Sequence, residues 1–313
     1  MALHYDPVSQ LKIGLVLPSK GRGTGPDVLD AGCATAVALG WRSVWVTDHL
    51  LVPRGPEAEE YGCILEATSA LAWVGGRYET LTLGTSVLVP AMRDAPLLAK
   101  QIATIDVLTR GRLIIGVGVS DSYDIPEYTN LGKADRFKDR GAYLDEAIAL
   151  WRHLWSGSTE PFHGRFNQLD DFSFAPLPVQ GRELPIWGGG RSARAVRRSV
   201  ELTNGWHGAQ TSPQDMVSRI PDIVAVAEEL DRPLPTLSVR CRVKFNAHVP
   251  PPYALAGGPE SMVHDMVHFA RLGVEHLIMV FESDDPEGLE RDMRRFDDEV
   301  VGEVQSRLAE QKW

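Results

Sequence analysis

Apolar runs that are typical of buried strands alternate with amphipathic runs along nearly the whole chain. The strand-like runs are short, and they predict strands at 12–18, 43–48, 81–89, 112–119, 184–188, 205–209, 237–247 and 275–281. The runs between them have apolar residues at helical spacing, and they predict helices at 26–39, 64–77, 95–108, 136–155, 192–202, 213–230, 260–272 and 286–308. This alternation is typical of an α/β protein with a parallel sheet.

The number of repeats separates two parallel architectures. An open doubly wound sheet that binds a dinucleotide carries a G-x-G-x-x-G loop after its first strand, whereas here that strand ends in Leu17-Pro18-Ser19-Lys20-Gly21. About eight βα pairs in a chain longer than ~250 residues are instead typical of a (β/α)8 TIM barrel. We therefore predict a single barrel domain over residues 1–313, with excursions after strand 4 and helix 4 and a substrate-side loop after strand 7.

Polar residues and glycines follow the predicted strands, at the end of a barrel where active sites form. His49 comes directly after a strand that ends in Asp48, and Gly118 lies in the glycine-containing end of the fourth strand. A histidine has a pKa near neutrality, so it is suited to donate a proton or to stabilise developing charge. We predict a catalytic function for His49, whereas Asp48 orients a loop or hydrogen-bonds a cofactor.

Composition narrows the class of partner. Of the 313 residues 43% are hydrophobic and 24% are charged, and the formal net charge is −10. An acidic chain without a basic stripe is unsuited to nucleic acid or an anionic membrane, and no apolar run reaches the ~20 residues of a membrane span. The three cysteines lie far apart and fit reduced thiols. We expect a cytoplasmic enzyme with a small-molecule substrate and no nucleic-acid or membrane partner.

Four segments resemble the luciferase-like monooxygenase superfamily, and they follow one another in the family's order: 45–49, 83–106, 111–118 and 184–207. Within the superfamily, Gly84-Thr85-Ser86-Val87 is similar to the third-strand segment of the branch that uses the deazaflavin coenzyme F420. The resemblance implies a (β/α)8 barrel, an oxidoreductase activity and a homodimer. It implies F420 as the cofactor, with FMN as the alternative.

The resemblance also assigns cofactor contacts. In the family, a non-prolyl cis peptide after the third strand supports the cofactor ring, and Ser86-Val87 holds that place here. The other implied contacts lie at strand ends, and they are Asp48, Thr85, Gly118, Val119, Gly188, Gly189, Gly190 and Arg191.

The turn Gly188-Gly189-Gly190-Arg191 is also a candidate anion site from its residues alone. It joins a predicted strand to a predicted helix, where free backbone amides and the positive helix end favour a phosphate, and an arginine adds charge. The residues leave a plain structural turn open as the alternative. The resemblance favours cofactor anchoring, because the family binds its cofactor phosphate at this helix.

Asp121 falls where the sugar-phosphate dehydrogenases of the family carry a catalytic glutamate. A carboxylate there is suited to proton transfer, although the side chain is one methylene shorter. The alternative is a turn cap within Ser120-Asp121-Ser122. The basic residues that bind the substrate phosphate in those relatives lack clear counterparts after strand 6, where the chain reads Gly208 to Pro213. Glucose 6-phosphate is therefore not the substrate we expect.

Aromatic and imidazole side chains near the strand ends predict the substrate pocket, which we assign to Trp187, Trp206, His207 and Tyr253. Such a lining favours a hydrophobic or planar molecule. His264 and His268 have the spacing of metal ligands but lack a third ligand, so we predict no metal site. The arginine cluster 191–198 is interpreted as a solvated face with one phosphate contact.

Three functions follow from these interpretations. The leading one is an F420-dependent oxidoreductase that transfers a hydride between F420 and a small organic substrate, with His49 or Asp121 handling a proton. An FMN-dependent monooxygenase that uses O₂ is the second. A noncatalytic ligand-binding barrel is the third.

Overall fold

The computed structural model describes residues 11–246 and 252–310. Its strands are β1 (Lys12–Val16), β2 (Ser43–Val46), β3 (Thr82–Thr85), β4 (Leu113–Val117), β5 (Phe162–His163), β6 (Gln168–Leu169), β7 (Ile186–Gly189), β8 (Gly205–Ala209), β9 (Thr236–Phe245), β10 (Leu255–Gly257) and β11 (Val274–Val280). Eight of them pair in parallel in the closed order β1-β2-β3-β4-β7-β8-β9-β11 and back to β1. The predicted eight-stranded barrel is confirmed.

Helices surround the barrel. They are α1 (Pro26–Ala38), α2 (Pro56–Tyr61), α3 (Ala67–Arg77), α4 (Ala95–Leu108), α5 (Ile125–Asn130), α6 (Arg140–Trp155), α7 (Ala193–Leu202), α8 (Pro213–Glu229), α9 (Pro259–Arg271), α10 (Pro286–Phe296) and α11 (Gly302–Glu310). A π-helical turn, Asp297–Val301, separates the last two. No helix in the described part of the chain combines the length and the apolarity that crossing a membrane requires.

Side chains fill the barrel interior, and glycines make room for them. The rings of Trp45 and Trp187 stack with their centroids 5.1 Å apart. A Cβ on Gly84 would lie 2.1 Å from the Trp45 ring, and one on Gly205 would lie 2.4 Å from the Trp187 ring. Large rings facing glycines on neighbouring strands produce a solid core in place of a pore. This core forms the floor under the carboxyl ends of the strands.

The excursions after strand 4 and helix 4 lie where they were predicted, whereas the predicted loop after strand 7 falls mainly on residues 247–251, outside the described residues. Helix α5 lies within the segment between β4 and α6, and a two-stranded hairpin of β5 and β6 follows α6. Periodicity did not predict α2 and α5, because each is only six residues long. The predicted helix at 64–77 begins at Ala67, since the Glu66 side chain caps it by accepting from the backbone N–H groups of Thr68 and Ser69. The single-domain assignment stays a prediction.

Candidate active site at the carboxyl ends of the strands

The peptide bond between Ser86 and Val87 is cis, directly after β3. This is the isomer that the family resemblance implies at this position. Ser86 Oγ lies 2.8 Å from Nε2 of His207, and Arg240 Nη1 donates to the Ser86 carbonyl oxygen over 2.8 Å. Contacts from β8 and β9 therefore hold the Ser86 side of the bond.

Val87 is half-buried and lies against glycines of β4 and its tail. A Cβ on Gly116 would lie 3.3 Å from Val87 Cγ1, and one on Gly118 would lie 2.7 Å from Val87 Cγ2. Because glycine has no Cβ at these two positions, the Val87 side chain packs directly against the strand backbone. Val87 thus presents a small apolar surface at the barrel mouth, the opening at the carboxyl ends of the strands. Thr85, by contrast, is fully buried and donates to the Gly116 carbonyl, which directs its hydroxyl into the barrel wall.

His207 lies inside the barrel, below the cis peptide. Its Nδ1 is 2.8 Å from Ser238 Oγ, and its ring stacks on Trp45 with an interplanar angle of 7°. Burial lowers the pKa of His207 to about 3, and the nearby Arg240 charge acts in the same direction. His207 is therefore neutral at physiological pH, and it supports Ser86 without lining an open pocket.

His49 is paired with a residue that the sequence did not single out. Its Nδ1 lies 2.8 Å from Oε2 of Glu127, a carboxylate whose side chain is only 1% exposed. The other oxygen, Oε1, accepts from the backbone N–H groups of Leu50 and Leu51. Burial alone would lower the pKa of His49, but the hydrogen bond and charge of Glu127 outweigh it and raise the pKa above its ordinary value. The pKa of Glu127 is lowered, because His49 and the backbone donors outweigh the effect of burial.

Asp48 is engaged in an ion pair below the mouth. Its oxygens accept from the guanidinium of Arg93 and, over 3.1 Å, from the backbone N–H of Val89. Arg93 Nη1 also lies 2.8 Å from Glu66 Oε1. This network ties the tails of β2 and β3 to the start of α3. Of the two functions predicted for Asp48, the geometry favours loop orientation.

Asp121 lies in the turn after β4 and forms a capping box with Asp124. The backbone N–H of Asp121 donates to Asp124 Oδ2 over 2.9 Å. Asp121 is exposed, whereas Asp124 is buried, and burial raises the pKa of Asp124. A carboxylate oxygen from each of Asp124 and Glu127 and a ring nitrogen of His49 lie within 4.8 Å of one another. The carboxylates that reach His49 are thus Asp124 and Glu127, while Asp121 has the predicted alternative arrangement, a turn cap.

The glycine-rich turn leads into the N-terminus of α7, as predicted. Gly190 has a φ of 118°, a conformation that favours glycine, and Ser192 caps the helix by accepting from the Ala195 N–H. Arg191 and Arg194 are exposed and form no ion pair within the described ranges. Their neighbours in the cluster are engaged, since Arg197 pairs with Glu229 and the buried Arg198 pairs with Asp145. This arrangement matches a solvated face with free positive charge at the helix start.

The predicted aromatic lining does not come together at the mouth. Trp187 is 3% exposed and belongs to the barrel interior. Trp206 is fully buried on the outer face of β8, where its Nε1 donates to the Gly190 carbonyl. Tyr253 donates to Asp265 Oδ2 over 2.7 Å and packs on Phe269 of α9. The physical reason is alternation: neighbouring strand residues point to opposite faces, and burial on either face attracts aromatic rings.

The mouth instead has a basic group that the sequence analysis missed: Lys20, Arg240 and Arg242. Lys20 Nζ lies 3.8 Å from the ring centroid of Tyr61, and that ring lies 4.5 Å from the His49 ring. The sequence does contain a pattern that could have identified the two arginines, because Ser238, Arg240, Arg242 and Lys244 alternate with buried apolar residues along β9.

The two histidines with the spacing of metal ligands lie on the outer surface. The His264 side chain is 71% exposed, and His264 and His268 are neighbours on α9.

The chain matches the luciferase-like monooxygenase family over residues 32–252, and it belongs to this family. F420-dependent glucose-6-phosphate dehydrogenase 1 of Rhodococcus jostii (strain RHA1) is 31% identical over 240 residues, which are 74% of this chain and 68% of that protein. The F420-dependent glucose-6-phosphate dehydrogenase of Amycolatopsis mediterranei (strain U-32) is 36% identical over 171 residues, 53% of this chain and 49% of that protein. The chain thus spans about half to two thirds of these relatives.

Solved structures share the fold. An F420-dependent secondary alcohol dehydrogenase in complex with an F420-acetone adduct superposes with a TM-score of 0.77 at 18% identity, covering 93% of this chain and 98% of that one. The oxygenating constituent of 3,6-diketocamphane monooxygenase from Pseudomonas putida, in complex with FMN, gives 0.73 at 12% identity, with 94% and 99% covered. The family, the barrel and the oxidoreductase class predicted from the sequence are confirmed. F420 is the cofactor that the curated relatives carry in their names, and FMN occurs among the structural neighbours.

Proposed function

We propose that this protein is an F420-dependent oxidoreductase that transfers a hydride between the deazaflavin and a small organic substrate. The observation that carries the proposal is the His49–Glu127 pair at the barrel mouth. It places a protonatable imidazole, held by a buried carboxylate, on the loop next to the cis peptide. The F420-dependent relatives support the choice of cofactor.

The residues present fit such a cofactor in three respects. Val87 is a partly exposed apolar side chain seated on glycines, which suits the face of a flat ring. The start of α7 has free amides and the two unpaired arginines 191 and 194, which suit a phosphate. In addition, the buried Thr47 Oγ1 has no hydrogen-bond partner within the described part of the chain. Continuing the alternation of β2 puts Thr47 on the same side as Trp45, facing the barrel axis.

The deazaflavin, when bound, supplies the carbon that accepts or gives up the hydride. The protein's own contribution is to hold a proton. Glu127 fixes Nδ1 of His49, so Nε2 is the nitrogen left for the substrate. The raised pKa favours the protonated ring, which suits donation of a proton to a substrate oxygen whose carbon accepts the hydride. In the reverse direction the neutral ring accepts that proton.

The substrate is the finer part of the proposal. Exposed apolar side chains lie near Glu127. Leu51, whose backbone N–H donates to Glu127, is 51% exposed, and Ile125 at the start of α5 is 44% exposed. They suit the carbon skeleton of a small organic molecule. The predicted preference for a hydrophobic or planar substrate loses its original support, because Trp187 and Trp206 do not reach the mouth. The curated relatives are named for a sugar phosphate, so glucose 6-phosphate belongs among the compounds to test.

Titration of the apoprotein with F420 and with FMN tests the proposal, with cofactor fluorescence as the readout. We expect F420 to bind and His49→Gln to retain binding while turnover falls by about 10²–10⁴-fold. His264→Gln is the matched control, because that side chain lies exposed on α9. Micromolar binding of FMN without binding of F420 would overturn the proposal in favour of the monooxygenase. Binding of neither cofactor would favour the noncatalytic barrel.

A further inference from the structure

We propose that Lys20, Arg240 and Arg242 form an anion-binding subsite at the barrel mouth, which takes a carboxylate or phosphate group of the substrate. In the structure, Glu60 of α2 occupies this subsite. The inference rests on the proposed function, because it assigns a substrate class to the same mouth.

Strand β9 places the two arginines on the inner face. Ser238 bonds to His207 within the barrel, and strand residues two apart point to the same side. Arg240 and Arg242 continue this inward row toward the mouth, and the Arg240 contact with the Ser86 carbonyl confirms the direction. The residues between them, Val239 and Cys241, are buried on the outer face. The arginines are therefore positioned by the strand itself.

The positive charge of the subsite is not balanced by carboxylates. Arg242 Nη2 lies 2.9 Å from Glu60 Oε1, and Lys20 Nζ contacts the same oxygen. Arg240 has no carboxylate within 4.0 Å in the described part of the chain. Two of the three cations thus share one carboxylate and the third has none, in a chain whose formal net charge is −10. A local excess of positive charge in a cleft of an acidic protein attracts an anionic ligand.

The environment of Lys20 disfavours its charged form. The pKa of Lys20 is lowered to about 8, chiefly by burial and also by the charges of Arg240 and Arg242, which outweigh the opposing effect of Glu60. An additional anion near the amine would favour its charged form. An anion bound beside Lys20 would therefore raise the pKa of this amine again.

The subsite lies next to the proposed reacting groups. The Tyr61 ring separates Lys20 from His49, with 3.8 Å on one side and 4.5 Å between the ring centroids on the other. Arg240 contacts the peptide that carries Val87. A small substrate is thus able to place its anionic group on the cations and its reacting carbon beside His49.

Glu60 acts as an internal competitor. It lies on a six-residue helix, and its side chain is 45% exposed, so the carboxylate is able to leave the cations for water. A carboxylate bound to both Lys20 and Arg242 also shows which ligand chemistry the subsite accepts. Removing the charge of Glu60 should strengthen binding of an external anion, whereas removing a cation should weaken it.

Calorimetric titration with inorganic phosphate tests the subsite, using protein saturated with F420 so that the start of α7 is already filled. We expect wild type to bind phosphate, Arg242→Gln and Lys20→Gln to weaken binding about tenfold or more, and Glu60→Gln to strengthen it several-fold. Glu59→Gln on the same helix and Arg219→Gln on α8 are the matched controls, and they should bind as wild type does. Thermal melting verifies that each variant is folded.

Acetate in place of phosphate distinguishes the source of the anion. Tighter binding of phosphate supports a phosphate-bearing substrate, and tighter binding of acetate supports a carboxylic acid. The inference is overturned if neither anion binds, or if the cation variants bind as tightly as the controls. Phosphate titration of the Arg191→Gln variant without F420 tests the anion subsite separately from the proposed F420 dependence. If F420 fails to bind, this titration still reports whether phosphate binds at Lys20 and Arg242.

Discussion

The carboxylate of Glu127 holds both the ring of His49 and the loop that carries it. Oε2 lies 2.8 Å from His49 Nδ1, and Oε1 accepts from the N–H groups of Leu50 and Leu51. The two residues are 78 positions apart in the chain. One buried side chain of α5 therefore sets the orientation and the protonation of the imidazole on the β2 tail.

Replacing Glu127 by glutamine should lower the pKa of His49. The hydrogen bond and the negative charge raise that pKa against burial, so their loss removes the opposing effect. We expect the branch of the pH–rate profile that depends on protonated His49 to move to lower pH in the reduction direction. Histidine NMR titration measures the pKa directly, and Glu229→Gln on the outer helix is the control. A loss of activity in Asp121→Asn with an unshifted profile in Glu127→Gln would assign proton transfer to Asp121 instead.

The same pair predicts how stability depends on pH. The raised pKa of His49 means that the folded protein holds this proton more tightly than the unfolded chain does. The stabilisation is complete below about pH 6.5, the unfolded value, and is lost as the pH rises through the folded value. We expect His49→Gln to lose more unfolding free energy at pH 6 than at pH 9, as measured by urea denaturation. An equal loss at both values would contradict the pairing.

The buried His207 and His276 should make the protein sensitive to acid. Burial lowers both pKa values to about 3, so between pH 6.5 and 3 the unfolded chain takes up protons that the folded protein does not. Stability therefore falls with decreasing pH, by about 1.4 kcal/mol per pH unit for each histidine. His207→Gln should flatten this slope between pH 6 and 4 in urea denaturation, whereas the exposed His264→Gln should leave it unchanged.

The packing of the barrel predicts opposite effects for two glycine substitutions. Gly84→Ala places a Cβ 2.1 Å from the Trp45 ring, with no space to relax inside a filled barrel. We expect a loss of about 3 kcal/mol or more in unfolding free energy. Gly76→Ala in α3 meets nothing within 4 Å and should stabilise by about 0.5–1 kcal/mol. Thermal melting of both variants checks the contrast, and a neutral Gly84→Ala would show that the interior is not filled as described.

The ion pair between Asp48 and Arg93 predicts a coupled pair of mutations. Arg93→Met leaves the Asp48 carboxylate, whose side chain is 1% exposed, without its cation, which should cost about 3–5 kcal/mol. Asp48→Asn in the Arg93→Met background should recover part of this loss, because no buried charge then remains. A double-mutant cycle by urea denaturation measures the coupling, and additive effects would refute it.

The barrel could be predicted from the sequence because the patterns that indicate its strands and helices are local in the chain. Alternation of apolar runs and the spacing of helices are visible within ten to twenty residues, and the helix at 95–108 was predicted with the bounds that the structure has. His49 was found in the same way, since it directly follows a buried strand. These features require no knowledge of what packs against them.

The site residues that could not be predicted from the sequence depend on long-range contacts. Glu127 lies in a polar stretch between β4 and α6, and only the packing of α5 on the β2 tail brings it to His49. Trp187 and Trp206 were assigned to the pocket because strand ends and aromatic residues coincide there, but strand alternation puts both in a core. The inward row of β9 was readable as alternation, although its convergence with Lys20 depends on closure of the barrel.

The stacked rings of Trp45 and Trp187 also have a kinetic consequence. They close the barrel from below, so whatever binds at the strand ends enters and leaves through one opening. With the cofactor on Val87, as proposed, a substrate bound above it blocks its exit through that opening. We therefore predict an ordered sequence in which the cofactor binds before the substrate and leaves after it.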